Sequence, residues 1–214
     1  MEIICGIDEA GRGPLAGPVT AAAVVLPERF PVELLADSKA LSQQRRRQAE
    51  AVVRQEALLW GIGWAWPEEI DQLNIHHASL LAMVRAYANM VGPLLTDSDN
   101  FCLGRPASER GGCDLHRRTD PTEALIDGRF TPELPVQSRA IVKGDTLIPQ
   151  IQAASILAKT ARDRWMEEYA CIEPQYRFEK HKGYPTAEHR ELIGEYGTSR
   201  IHRHSFRAIS GSAS

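Results

Sequence analysis

Three short β-rich runs in this chain each lead into acid. Residues 3–7 precede Asp8-Glu9, Ala124-Leu125-Ile126 precedes Asp127, and Ala140-Ile141-Val142 continues through Lys143-Gly144 to Asp145. In an open α/β sheet the carboxyl ends of strands gather along one edge, where ligands bind. The pattern therefore predicts four carboxylates, Asp8, Glu9, Asp127 and Asp145, converging at one sheet edge. Carboxylates at close range repel and raise one another's pKa, and a hard divalent cation relieves that repulsion by taking oxygen ligands. Mg2+ or Mn2+ is the expected occupant, and two such ions about 4 Å apart can drive hydrolysis of a phosphodiester. Each acid alone has a plainer explanation. Asp127-Gly128 is a common turn pair, Asp145 can cap a following helix, and Asp8-Glu9 can be a solvated strand end.

Between these runs strands and helices alternate, which predicts α/β architecture with a helical end. The glycine-rich turn Gly11-Arg12-Gly13-Pro14 separates the first strand from a second over 19–26. Ser42 is placed to cap a polar helix that begins at Gln43, and residues 58–65 read as another strand. Pro67 opens a helix in which Ile75, Ala78, Leu81, Ala82 and Ala86 recur at helical spacing. Residues 148–169 form a long helix, and Pro174 breaks the pattern before a basic end. From about 96 to 121 the period dissolves into Gly, Pro, Asp, Ser and Arg, so a surface-loop insertion is expected. The expected organisation is a catalytic domain over 1–170 and a helical carboxyl-terminal region over 171–214 that contributes to substrate binding.

With 214 residues and 43% apolar content, the chain can bury a core without disulfides. Cys5, Cys102, Cys113 and Cys171 lack CxxC pairing and read as reduced thiols. The opening residues carry no basic leader and no segment is apolar enough to span a bilayer, so a cytoplasmic protein without membrane association is expected. A net charge of −3 argues against binding a polyanion by overall basicity. The binding must come from bound metal or a local patch, and residues 177–207 supply seven Lys or Arg against four Asp or Glu. Lys39, Lys143 and Lys182 are candidates for phosphate contacts, with solvated surface lysine as the alternative. His181, His189, His202 and His204 lack the cysteine partners of a zinc site and read as polar surface or core-edge groups. Arg45-Arg46-Arg47 reads as an exposed helix face, and Asp163 as a structural acid paired near its own helix.

The run Asp8-Glu9-Ala10-Gly11-Arg12-Gly13-Pro14-Leu15-Ala16-Gly17-Pro18-Val19 resembles the signature of ribonuclease HII, the type 2 ribonuclease H family. Further resemblances follow in the family's order. They are Asp37-Ser38-Lys39-Ala40-Leu41-Ser42, Glu69-Ile70-Asp71, Asn74-Ile75, Ile126-Asp127-Gly128, Lys143-Gly144-Asp145, Ala153-Ala154-Ser155-Ile156-Leu157-Ala158-Lys159, His181-Lys182-Gly183-Tyr184-Pro185-Thr186 and His202-Arg203-His204-Ser205-Phe206. The resemblance implies a ribonuclease H-like fold, with a mixed central sheet flanked by helices and a helical carboxyl-terminal region. It places the catalytic, metal-binding carboxylates on Asp8, Glu9, Asp127 and Asp145. It places substrate contacts on Gly11, Arg12, Gly13, Lys39, Lys143 and Tyr184, the tyrosine packing on the sugar at an RNA–DNA junction.

The implied activity is a two-metal-ion endonuclease that hydrolyses the phosphodiester 5′ to a ribonucleotide. Its substrates are RNA-DNA hybrids and DNA duplexes with embedded ribonucleotides, and its products carry 5′-phosphate and 3′-hydroxyl ends. The implied role is ribonucleotide removal in DNA replication and repair, by a monomer. Ala40 stands where the family often has a second lysine, so one fewer phosphate contact is expected. Residues 208–214 contain no aromatic side chain, so no sliding-clamp motif is expected there. Two other functions suit the same residues. One is a structure-selective DNA nuclease or junction resolvase, and the other a non-catalytic nucleic-acid-binding module with one structural cation.

Overall fold

Every residue of Val19–Val25 is buried, so this strand must be covered on both faces. The computed structural model of the chain describes residues 3–35, 42–92, 110–111 and 120–210. Among them, β1 (Ile4–Ala10), β2 (Val19–Val25), β3 (Leu59–Ala65), β4 (Arg110–Gly111), β5 (Glu123–Asp127) and β6 (Gln137–Ile141) form one sheet in the order β4-β3-β2-β1-β5-β6. β1 to β4 pair antiparallel, whereas β1, β5 and β6 run parallel. The sheet is mixed, as the resemblance implied.

The principal helices are α1 (Gln43–Glu56), α2 (Pro67–Val91) and α4 (Pro149–Tyr169), with the single-turn α3 (Gly144–Leu147) before the last. The pleat sends alternate side chains to opposite faces. Ala21, Ala23 and Val25 meet Ala82, Met83 and Ala86 of α2, while Ala22 and Val24 meet Ala154, Leu157 and Ala158 of α4 and Val53 of α1. Ser42 caps α1 as expected, its hydroxyl accepting from the Arg45 N–H at 3.3 Å. Gly6 sets the distance between β1 and α4. A Cβ there would lie 2.2 Å from the carbonyl carbon of Gln150, so only glycine lets the start of α4 rest on the strand that carries Asp8.

Two expectations change in detail. The helix that opens at Pro67 is two helices joined at Asn74, which stands at φ 67° and ψ 163°. Its side-chain oxygen accepts from the N–H groups of His76 and His77, so Asn74 caps the second helix. The third acidic strand ends at Ile141, and Asp145 lies in α3 rather than at a strand end. Lys143 takes the left-handed conformation at φ 59°, and bonds from Thr146 N to Lys143 O and from Ile148 N to Gly144 O close the turn.

The carboxyl region holds α5 (Phe178–His181), α6 (Ala187–Tyr196) and α7 (Arg207–Ser210). It packs through Tyr176, Phe178 and Ile201 on Ala16 and on Met166 and Tyr169 of α4. The histidines also differ from expectation. His181, His189 and His202 are buried inside this region because their ring nitrogens find partners there, and only His204 of the four is exposed. Cys5 and Cys171 are free thiols, buried and exposed respectively. Asp37, Ser38, Lys39, Ala40, Cys102, Cys113, most of the insertion and residues 211–214 lie outside the described residues. Among the described residues no helix is long and apolar enough to cross a membrane.

Candidate active site

Parallel pairing sets the acids side by side. Ile7 stands opposite Ile126, so Asp8 and Asp127 leave β1 and β5 together at the carboxyl edge of the sheet. Asp8 is buried, and that burial raises its pKa well above the ordinary carboxylate range. The charges of Glu9 and Asp127 add to the rise, opposed by hydrogen bonds from Ser155 on α4 and from the Glu9 N–H at 2.7 Å. Burial also raises Glu9, although Arg12 pulls against it through an ion pair of 3.1 Å. Asp145 is buried at the start of α3, and its backbone N–H donates to the Asp127 carboxylate at 3.3 Å.

The structure thus brings Asp8, Glu9 and Asp127 into electrostatic contact, and Asp145 adjoins them through its main chain. Among the described residues no three acidic, histidine or cysteine side chains already stand disposed around an ion. The second oxygen of Glu9, however, is buried without a hydrogen-bond partner among the described residues. A buried acceptor left unpaired costs about 1–3 kcal/mol, more when charged. An orphaned carboxylate oxygen beside a strongly raised Asp8 fits a hard divalent cation, the chemistry that would satisfy the one and discharge the other.

The glycine-rich loop lies next to these acids and is gripped by two wholly buried arginines. Arg203 donates to the carbonyls of Gly11 at 2.7 Å, Arg12 at 3.1 Å, Pro14 at 2.8 Å and Gly17 at 2.8 Å. Arg162, on α4, donates to those of Ala16 at 3.0 Å, Pro18 at 2.9 Å and Lys182 at 3.0 Å. Burial pushes the two guanidiniums down to about 9 and about 10, so both still carry charge at neutral pH. Gly11 sits at φ +93°, and a Cβ there would come within 2.1 Å of the pinned Arg162 Nε. Sequence reasoning missed both arginines. The signal available for Arg162 was its spacing four residues from Ala158 and four from Met166, both buried on α4.

Tyr184 closes the other side of the loop. A Cβ at Gly13 would lie 3.9 Å from its ring, which is 38% exposed. Lys159, to which sequence reasoning gave no role, stands 5.4 Å from the ring centroid and pairs with Asp163 at 2.7 Å, the structural pairing expected for that acid. Arg12 and Lys143 are exposed at the rim, whereas Lys182 is tied to Glu167 at 3.1 Å and to the Glu179 carbonyl. Arg45 and Arg47 are exposed as expected, the latter paired with Glu167, whereas Arg46 between them is half-buried.

A family model described as Ribonuclease HII matches residues 5–96 and 115–209. The chain belongs to the ribonuclease HII family. It is accordingly a ribonuclease H, a hydrolase. Solved structures agree in fold. The ribonuclease H2 from Pyrococcus horikoshii OT3 superposes with a TM-score of 0.71 at 20% identity, covering 98% of this chain and 96% of that one. The RNase HII from Archaeoglobus fulgidus, solved in complex with PCNA, gives 0.67 at 22% identity, covering 99% and 97%. Bst-RNase HIII in complex with Mn2+ gives 0.70 at 14% identity, covering 99% of this chain and 69% of its own. This ribonuclease HII chain therefore has the ribonuclease H-like fold its sequence implied.

Proposed function

We propose that this chain hydrolyses the phosphodiester on the 5′ side of a ribonucleotide, in RNA-DNA hybrids and in DNA duplexes with embedded ribonucleotides. The products carry 3′-hydroxyl and 5′-phosphate ends, and the cellular outcome is removal of ribonucleotides from DNA. The observation that carries this reading is that Asp8 and Asp127 follow the paired Ile7 and Ile126 at one sheet edge, beside an orphaned Glu9 oxygen and a rigid glycine loop. Asp8, Glu9, Asp127 and Asp145 would hold Mg2+ or Mn2+, a choice also supported by the Mn2+ complex of the similar Bst-RNase HIII. When bound, a pair of such ions supplies an activated water and charge stabilisation at the leaving oxygen.

The chain's own residues choose the site of cutting. Absence of side chains at Gly11 and Gly13 lets main-chain groups reach the ribose, where a 2′-hydroxyl distinguishes RNA from DNA. The exposed Arg12 and Lys143 attract the phosphates that the acids would otherwise repel, a role also proposed for Lys39. The half-open ring of Tyr184 packs on the next sugar and favours a junction with DNA on the 3′ side of the ribonucleotide. Residues 1–170 then form the catalytic domain, and 171–214 bring Tyr184 to it.

The direct test is incubation with Mg2+ or Mn2+ of a DNA duplex that contains one ribonucleotide, beside an all-DNA duplex and an all-DNA junction. Incision only of the first, 5′ to the ribonucleotide, is expected. No incision by folded protein under either metal overturns the proposal, and cutting of the DNA junction alone would identify a resolvase. Tyr184→Ala is expected to lower the preference for the RNA–DNA junction about tenfold, the change that loss of a ring–sugar contact worth about 1.4 kcal/mol gives. Its melting temperature should barely move, because the ring is partly exposed. Unchanged preference would reduce Tyr184 to a packing residue.

A further inference from the structure

His181, His189 and His202 lie buried together among Tyr176 and Phe178. The rings of His181 and His189 stack with centroids 4.2 Å apart, and the Nε2 atoms of His189 and His202 are 3.1 Å apart. Two imidazole nitrogens at that separation share one proton. Its owner follows from the ends of the chain. The Ser199 N–H, 2.7 Å from His202 Nδ1, can only donate, so Nδ1 accepts and the His202 proton sits on Nε2. The Ser199 carbonyl, at 3.3 Å from the same atom, is the weaker neighbour. His189 must then accept at Nε2 and carry its proton on Nδ1, which faces the carbonyl of Tyr184 at 2.9 Å. His181 accepts from the Gly183 N–H at Nδ1 and donates from Nε2 to the Tyr176 carbonyl at 2.8 Å.

We infer that the donor chain from Ser199 through His202 and His189 to the Tyr184 carbonyl makes these two histidines positioning residues for Tyr184. The inference rests on the junction-reading role proposed for that tyrosine. The turn they hold is otherwise tied to the glycine loop, through Leu15 N to Gly183 O at 2.8 Å and Arg162 to the Lys182 carbonyl at 3.0 Å. The Tyr184 carbonyl also accepts from Thr186 N at 2.8 Å and the Tyr184 N–H donates to the His181 carbonyl at 2.9 Å, so His189 supplies one of three bonds that fix the backbone on which the ring is mounted.

The chain works only with neutral rings, because a proton added to His189 or His202 sets two donors face to face. Burial keeps both neutral by pushing them down to about 4, and it lowers His181 as well. The titratable groups facing the cluster are Glu179, Glu188 and Lys182 near His181, and His204 near His202.

Ring nitrogen NMR at neutral pH tests the assignment without any substrate. His189 is expected as the Nδ1–H tautomer, with His181 and His202 as Nε2–H. A His189 proton on Nε2, or a charged His189, overturns the proposal. His189→Leu removes the donor to Tyr184, whereas His189→Asn places an amide N–H where Nδ1 stood. The Tyr184 ring resonances should shift in the first variant and return in the second. Junction preference should follow them, falling about tenfold and then recovering to within about threefold of wild type. Tyr184 resonances that stay put in a folded His189→Leu, or that fail to return in His189→Asn, also overturn it. If the ring moves as expected but wild-type protein never cuts ribonucleotide duplexes, the functional proposal fails and the positioning of Tyr184 stands.

Discussion

Replacing Asp8 with asparagine is expected to lower turnover on a ribonucleotide-containing duplex by at least about a thousandfold, while making the metal-free protein more stable. The two effects have one cause. Asp8 is buried with Glu9 and Asp127 at hand, so its ionised form is costly until a cation arrives. Loss of a ligand to the catalytic ions removes several kcal/mol of transition-state stabilisation, and about 4 kcal/mol is already a factor near a thousand. The sign of the stability effect follows from the direction of the pKa. A carboxyl raised in the folded state binds protons more readily there than in the unfolded chain, so its contribution is present at low pH and is lost as pH rises through the raised value.

The melting temperature of Asp8→Asn minus that of wild type, measured in EDTA, should therefore grow as pH rises above about 4, the ordinary carboxylate range. Added Mg2+ should stabilise wild type by mass action and leave the variant nearly unmoved. Wild-type turnover by the variant would remove Asp8 from the site, and a variant less stable than wild type without metal would contradict the buried-charge explanation. The histidines run the other way. Their lowered values make stability fall as pH drops from about 6.5 toward 4, so only the difference between variant and wild type isolates Asp8.

The acidic edge was legible in the sequence because it rests on period and register. A strand that ends in acid announces itself locally, and parallel pairing of Ile7 with Ile126 then does the rest. Asp145 was less legible because a left-handed Lys143 and a single helical turn leave no period to read. The kink at Asn74 was hidden for a similar reason, since the apolar spacing on either side of it is helical. Arg162, Arg203 and the three buried histidines were hidden differently. Such residues are mostly exposed or half-exposed, and a list of residues gives no sign that the arginines find loop carbonyls 144 to 192 positions away or that the histidine rings find partners within their own region. Loop-gripping arginines become visible only when the fold has chosen which backbone oxygens need donors.

Arg203 gives the largest expected loss of stability, through opposing effects. Removing its guanidinium leaves the carbonyls of Gly11, Arg12, Pro14 and Gly17 without that donor, at about 1–3 kcal/mol for each that water cannot reach. Against this, a charge that burial has pushed down to about 9 no longer has to be kept out of water, which returns a few kcal/mol. The lost bonds outnumber the single relieved charge, so Arg203→Met should cost about 3 kcal/mol net, or roughly 10 °C in melting temperature for a chain of this length. Arg203→Lys decides between fork geometry and charge. Lysine keeps the buried charge but concentrates its donors at one point, so it cannot span carbonyls reached in three directions by Nε, Nη1 and Nη2. It should therefore be no more stable than the Met variant. Stability within about 1 kcal/mol of wild type for Arg203→Lys would mean that charge, not the fork, holds the loop. Both variants should still gain stability from Mg2+, because the acids stand on β1, β5 and α3 rather than on the loop, but lose preference for the ribonucleotide as the loop loosens.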